Sequence, residues 1–115
     1  MVILDKEGLR VTFYPARVPE EKGVSRIRAV VENSGAQPIA AFSLQAAVPK
    51  FMQLRLDAAS AADLPARGGK ITQTLHVTNS QQGARPLVMR LRVSYSRAGE
   101  ERVEQVEVDG FPKDL

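Results

Sequence analysis

The 115-residue chain predicts an all-β protein, a sandwich of two antiparallel sheets, on three observations. Apolar and polar residues alternate with a period of two in successive short runs, the pattern of strands with one buried face. The runs recur roughly every 12–18 residues, with Gly-, Pro- and Asn-containing turns between them. No window of about 11–18 residues sustains a helical period, and the chain has no internal repeat.

The elements follow in order. Leu9, Val11 and Phe13 alternate with Arg10, Thr12 and Tyr14, and Pro15 is expected to end that strand. Pro19–Gly23 is a charged turn. Val24–Asn33 puts Ile27, Ala29 and Val31 on one face and Arg26 and Arg28 on the other, and Asn33-Ser34-Gly35 then turns the chain. Phe42–Val48 is a strand with Phe42, Leu44, Ala46 and Val48 inward and Ala41, Ser43, Gln45 and Ala47 outward. Pro49 breaks it, and Phe51–Leu56 resumes as a second strand on which Met52, Leu54 and Leu56 share one face. Asp57–Gly69 is a loop, with room for one helical turn at Ala58–Asp63 before Pro65 and the Gly pair. Ile71, Leu75 and Val77 form the next apolar face, interrupted by Gln73 and opposed by Thr72, Thr74 and His76. After a turn at Asn79–Pro86, Leu87–Tyr95 carries Met89, Leu91, Val93 and Tyr95 inward and Val88, Arg90, Arg92 and Ser94 outward. Arg97-Ala98-Gly99-Glu100 is a hairpin turn that returns the chain as Arg102–Val108. No linker divides the chain, so residues 1–115 are expected to form one domain. Its two inward apolar sets would stack about 10 Å apart, stabilised by burial at roughly 25 cal/mol per Å².

Composition narrows the function. Hydrophobic residues make up 43%, ordinary for a folded globular chain. No apolar run approaches the roughly 20 residues that span a bilayer, and Asp5 interrupts the first residues, against a signal peptide. There is no Cys, which excludes disulfides and thiolate metal sites and fits a cytoplasmic setting. The net charge is +3, but the cations are dispersed, only 5% of residues are aromatic and Trp is absent. Nucleic-acid binding wants a basic stripe with stacking aromatics, so it is not expected.

Catalytic devices are equally scarce. His76 is the only histidine and has no carboxylates at metal-ligand spacing; it reads as a solvated strand residue. No serine sits in a GxSxG elbow. The acidic residues lie in or beside turns, and Gly68-Gly69-Lys70 is too short for a phosphate loop. The chain is therefore expected to be no enzyme and to need no cofactor. What remains is a surface: Ala47 and Pro49 beside Lys50, and Arg90 and Arg92 two apart on one strand, roughly 6.6–6.8 Å along it. Apolar floor and cationic rim together suit an apolar anchor with an acidic neighbour, because arginine stems line pockets while their heads meet carboxylates.

The sequence resembles the gamma-adaptin ear (GAE) domain family of gamma-adaptins and GGA clathrin adaptors. Five stretches in the family's order carry the resemblance: Asp5–Phe13 (DKEGLRVTF), Gln45–Leu56 (QAAVPKFMQLRL), Lys70–Val77 (KITQTLHV), Met89–Tyr95 (MRLRVSY) and Glu107–Pro112 (EVDGFP). The resemblance implies an immunoglobulin-like β-sandwich that recruits accessory trafficking proteins to clathrin-coated carriers. The family's setting is cytoplasmic and peripheral, at the trans-Golgi network, endosomes and clathrin-coated vesicles. Its ligands are short linear motifs of an aromatic or aliphatic residue, Gly, an acidic residue or Pro, and a further apolar residue. Its pocket positions fall on Ala47, Lys50, Leu56, Arg90 and Arg92, and the Pro49 ring joins them. Where the family usually has another Arg, this chain has Val88, with Arg85 nearby in the turn. The expected partners are thus such motifs, and clathrin-coat machinery through a parent adaptor, with no nucleic acid, no membrane insertion and a monomeric domain. The competing readings are a structural or homotypic β-sandwich module without motif binding, and phosphate or anionic-lipid binding through the dispersed cations.

Overall fold

The computed structural model describes residues 1–115 and contains eight strands and no helix. They are β1 (Val2–Lys6), β2 (Leu9–Arg17), β3 (Val24–Asn33), β4 (Ile39–Ala47), β5 (Met52–Leu56), β6 (Gly69–Asn79), β7 (Met89–Arg97) and β8 (Glu100–Val108). A five-stranded antiparallel sheet runs β1-β2-β3-β6-β5, and a three-stranded antiparallel sheet runs β4-β7-β8. The chain changes sheet between β3 and β4, between β4 and β5, and between β6 and β7. This is the immunoglobulin-like sandwich.

Alternation produces the core. From the larger sheet Leu9, Val11, Phe13, Ile27, Ala29, Val31, Ile71, Leu75 and Val77 are buried. From the smaller sheet Phe42, Leu44, Met89, Leu91, Val93, Tyr95 and Val108 meet them. The C-terminal segment plugs one end: Phe111 stacks on Phe13 at 6.4 Å between ring centroids, and Leu115 is buried. Two buried asparagines hold the connections. The Asn33 amide donates to the carbonyls of Gln37, Leu64 and Pro65, and its oxygen accepts from the Gly35 N–H. The Asn79 amide donates to the carbonyls of Arg85 and Leu115.

The structure differs from the sequence expectations at four places. β1 was not anticipated; it pairs with β2 through a register shift between Val2 and Leu4 that blurs its alternation. β2 does not stop at Pro15 but continues to Arg17, paired with β3. Phe13 donates its N–H to Met1 on the β1 side. The Pro15 nitrogen points the same way two residues on, past the end of β1, where no donor is needed. Ala58–Asp63 forms no helical turn; Ser60 donates to the Thr72 carbonyl and Phe42 to that of Ala62, so the segment is drawn out between the sheets' edges. Leu64, within that loop, is wholly buried and bridges to Ile39. Finally, β4 begins at Ile39 rather than Phe42. A bulge with Ala41 at φ 54° shifts the parity, so Ile39 and Phe42 both face inward.

Where β1 and β8 approach each other the seam is ionic. Lys6 pairs with Glu104 at 2.9 Å, which raises the lysine pKa above its usual value, chiefly through that hydrogen bond. Arg97 and Arg102 both pair with Glu7, at 2.9 and 3.1 Å.

Candidate peptide-binding site

The β4-β7-β8 sheet positions the candidate site by register. Ala47 pairs with Arg90, which pairs with Glu107; Gln45 pairs with Arg92, which pairs with Gln105. Each triplet forms one row across the outer face, because directly paired residues point the same way. At the end of the sheet where β4 and β8 finish and β7 begins, a cleft of about 430 Å³ opens. Its lining is Ala47, Val48, Pro49, Val88, Met89, Arg90, Glu107, Val108 and Asp109. The aliphatic wall comes from β4 with its Val48-Pro49 extension and from the start of β7. The charged lining is Arg90, Glu107 and Asp109, with Arg90 paired to Glu107.

Of the six residues singled out in the sequence, Ala47, Pro49 and Arg90 line this cleft. Arg92 stands exposed one row further along the same face, and Lys50 is exposed in the turn directly after Pro49. Leu56 lies elsewhere. It sits on β5 in the other sheet, paired with Leu75, and is half-buried against the core with Leu54. The alternation Met52-Leu54-Leu56 persists to the strand end and turns Leu56 inward. Arg85 does not line the cleft; its guanidinium stacks 5.1 Å above the Phe51 ring.

Glu107, Asp109, Val108 and Val48 were not among the sequence candidates. Glu107 was within reach of sequence reasoning. The two central turn residues Ala98 and Gly99 have φ of 53° and 79°, as a two-residue hairpin requires, and such a turn fixes the register that sets Glu107 opposite Arg90. The pair is a 3.0 Å salt bridge with both side chains largely exposed, 69% and 76%. Such pairs contribute about 0–1 kcal/mol. Arg90 is therefore held in place yet free to exchange one carboxylate for another.

His76 is not the solvated residue expected. Its Nε2 lies 2.9 Å from Asp57 Oδ2 and its side chain is only 23% exposed. That hydrogen bond is the main reason the Asp57 pKa falls below its ordinary value, with charge from Arg55 and Arg26 adding to it. No group of three or more His, Cys, Asp or Glu stands close enough to hold a metal ion.

Comparison with known proteins agrees with this architecture. The adaptin C-terminal domain family matches residues 1–112. The AP-1 complex subunit gamma-1 of Arabidopsis thaliana is 40% identical over 116 residues, covering 100% of this chain and 13% of that protein. The human ADP-ribosylation factor-binding protein GGA1 is 29% identical over 119 residues, covering 97% of this chain and 18% of that protein. The chain thus spans less than a fifth of the length of these relatives. Among solved structures, the GAE domain of GGA2p from Saccharomyces cerevisiae superposes with a TM-score of 0.84 at 24% identity, covering 97% of this chain and 96% of that one. Sandwich topology, a family match over residues 1–112 and relatives at this identity together place the chain in the adaptin C-terminal domain family, as an ear domain of the gamma-adaptin and GGA type.

Proposed function

We propose that this ear domain binds short linear motifs of accessory trafficking proteins, with the cleft at the end of the β4-β7-β8 sheet as the binding site. The observation that carries this reading is the union, in one cleft, of an aliphatic wall (Ala47, Val48, Pro49, Val88) with an exposed, exchangeable cation, Arg90. The wall takes the aromatic or aliphatic anchor. Arg90 leaves Glu107 for a carboxylate of the motif, while Lys50 and Arg92 add attraction from the rim. Leu56 supports the site only through the core. Ear domains of this family are non-catalytic interaction modules, and this surface offers binding rather than chemistry.

In the setting of a clathrin adaptor at the trans-Golgi network or endosomes, such a module would recruit accessory proteins to the coat. A short motif buries little area and must be ordered on binding. Affinities of micromolar to hundred-micromolar follow, roughly −5 to −8 kcal/mol, with avidity from repeated motifs supplying the rest. Titrating an acidic Phe-Gly peptide while following amide chemical shifts tests the reading. Saturable shifts centred on Ala47, Val88 and Arg90 are expected. No saturation up to millimolar peptide, or shifts centred elsewhere, rejects this cleft.

A further inference from the structure

The second outer face of the sandwich carries charge that the peptide cleft does not use. On the five-stranded sheet the registers β2–β3, β3–β6 and β5–β6 run without a shift, so outward side chains stand in a regular grid. One row across the grid is Arg26, His76 and Arg55, and Arg28 lies in the next outward row of β3, paired with Tyr14 and Thr74. Strands about 4.8 Å apart put Arg26 about 10 Å from Arg55. The carboxylates of this face each have a cationic neighbour. Asp57 is engaged by His76 and Arg55, and Asp5 by Arg10. Glu32 lies between Arg10 and Lys70 in the ladder. Arg26 and Arg28 are exposed and form no ion pair. The Arg28 guanidinium sits 5.3 Å above the ring of Tyr14, itself 52% exposed.

We propose that this face docks on an anionic lipid surface through the unpaired Arg26 and Arg28, with Arg55, paired to Asp57, beside them and Tyr14 entering the headgroup layer. A regular grid of cations with an amphipathic aromatic complements a planar array of negative headgroups. A peptide, by contrast, wants a groove with an apolar wall, and that feature lies on the other sheet. The geometry has a functional consequence. The outer faces of two stacked sheets point in opposite directions, so docking by this face leaves the cleft turned away from the membrane and open to partners.

Co-sedimentation of the 115-residue chain with vesicles of phosphatidylcholine, with and without 30 mol% phosphatidylserine or phosphatidylinositol 4-phosphate, tests this directly. Binding is expected only to the anionic vesicles and should fall steeply as salt is raised. Each cation at an anionic surface contributes about a fivefold factor, so Arg26→Gln with Arg28→Gln should lower partitioning about 30-fold. The charge-matched control, Arg90→Gln with Arg92→Gln, should retain most vesicle binding while losing peptide binding. The two surfaces can therefore fail independently. Equal loss in both double variants would mean that only net charge matters and overturns the docking face. So would absence of binding to anionic vesicles, including the case in which an acidic polypeptide such as polyglutamate binds this face instead.

Discussion

Reversing the charge of Arg90 tests the cleft more sharply than any truncation. In the free domain Arg90 pairs with Glu107, and both side chains are mostly in water. Losing that pair costs the fold at most about 1 kcal/mol, and setting like charges opposite each other across strands adds up to about 1 kcal/mol. Arg90→Glu should therefore remain folded. Binding changes far more. A hydrogen bond to a charged group is worth about 1.5–3 kcal/mol, and a carboxylate brought to about 4 Å from another in water meets about 1 kcal/mol of repulsion. The total, about 2.5–4 kcal/mol, weakens binding about 10²–10³-fold, which takes a micromolar ligand to about 0.1–1 mM. Combining Arg90→Glu with Glu107→Arg restores the cross-strand pair, but moves the cation one strand away, about 4.8 Å. The double variant should recover stability without recovering affinity. Calorimetric titration with an acidic Phe-Gly peptide, beside urea unfolding of each variant, separates the two effects. Wild-type affinity in Arg90→Glu would refute the role given to Arg90 and, with it, the cleft.

Three further outcomes concern the frame of the domain. Asn33→Ala removes the side-chain donor shared by the Gln37, Leu64 and Pro65 carbonyls, the last two of which keep the N–H groups of Ile39 and Gly69 as partners, and should lower unfolding free energy by about 1–2 kcal/mol in urea; a loss under about 0.5 kcal/mol would mean that the β3–β4 and β5–β6 connections are not held by this amide. A Cβ on Gly69 would stand 2.4 Å from the Pro65 carbonyl oxygen and 2.7 Å from the Leu64 carbonyl carbon, both main-chain atoms that cannot swing aside. Gly69→Ala should cost about 1–3 kcal/mol by thermal unfolding, and an unchanged melting temperature would count against this packing. The Asp57 pKa is lower folded than its ordinary value of 3.8, so its pairing with His76 supports the fold above that pH. That support disappears as pH falls through the depressed value. Asp57→Asn should therefore flatten the acid limb of a stability-against-pH curve, and an unaltered limb would show that the pairing contributes nothing.

How much of this was legible in the residues can be judged from particular strands. In Leu87–Tyr95 and Val24–Asn33 the residues assigned inward are buried and the arginines assigned outward are exposed, although Val30, on the outward parity, is also buried. The strands that went unrecognised or misjudged are those with a register shift or an unusual neighbour: β1 with its shift near Val2, β2 running through Pro15, and β4 with its bulge at Ala41. Period-two reasoning fails there because one extra residue exchanges the two faces. Of the residues that line the cleft, chain chemistry and family resemblance point to Ala47, Pro49 and Arg90, whereas Val48, Glu107, Val108 and Asp109 join them only where three strand ends meet.

The sequence by itself determined the class of fold, most of the two core faces and the turn at Ala98-Gly99, because these depend on local alternation and on residue types. Tertiary structure decided which strands share a sheet. That pairing placed Ala47 beside Arg90 across 42 intervening positions, set Leu56 half-buried in the opposite layer, and gathered Arg26, Arg28 and Arg55 on a face of their own. Long-range pairing is set by how whole apolar faces fit each other, a property that no single stretch of the chain contains.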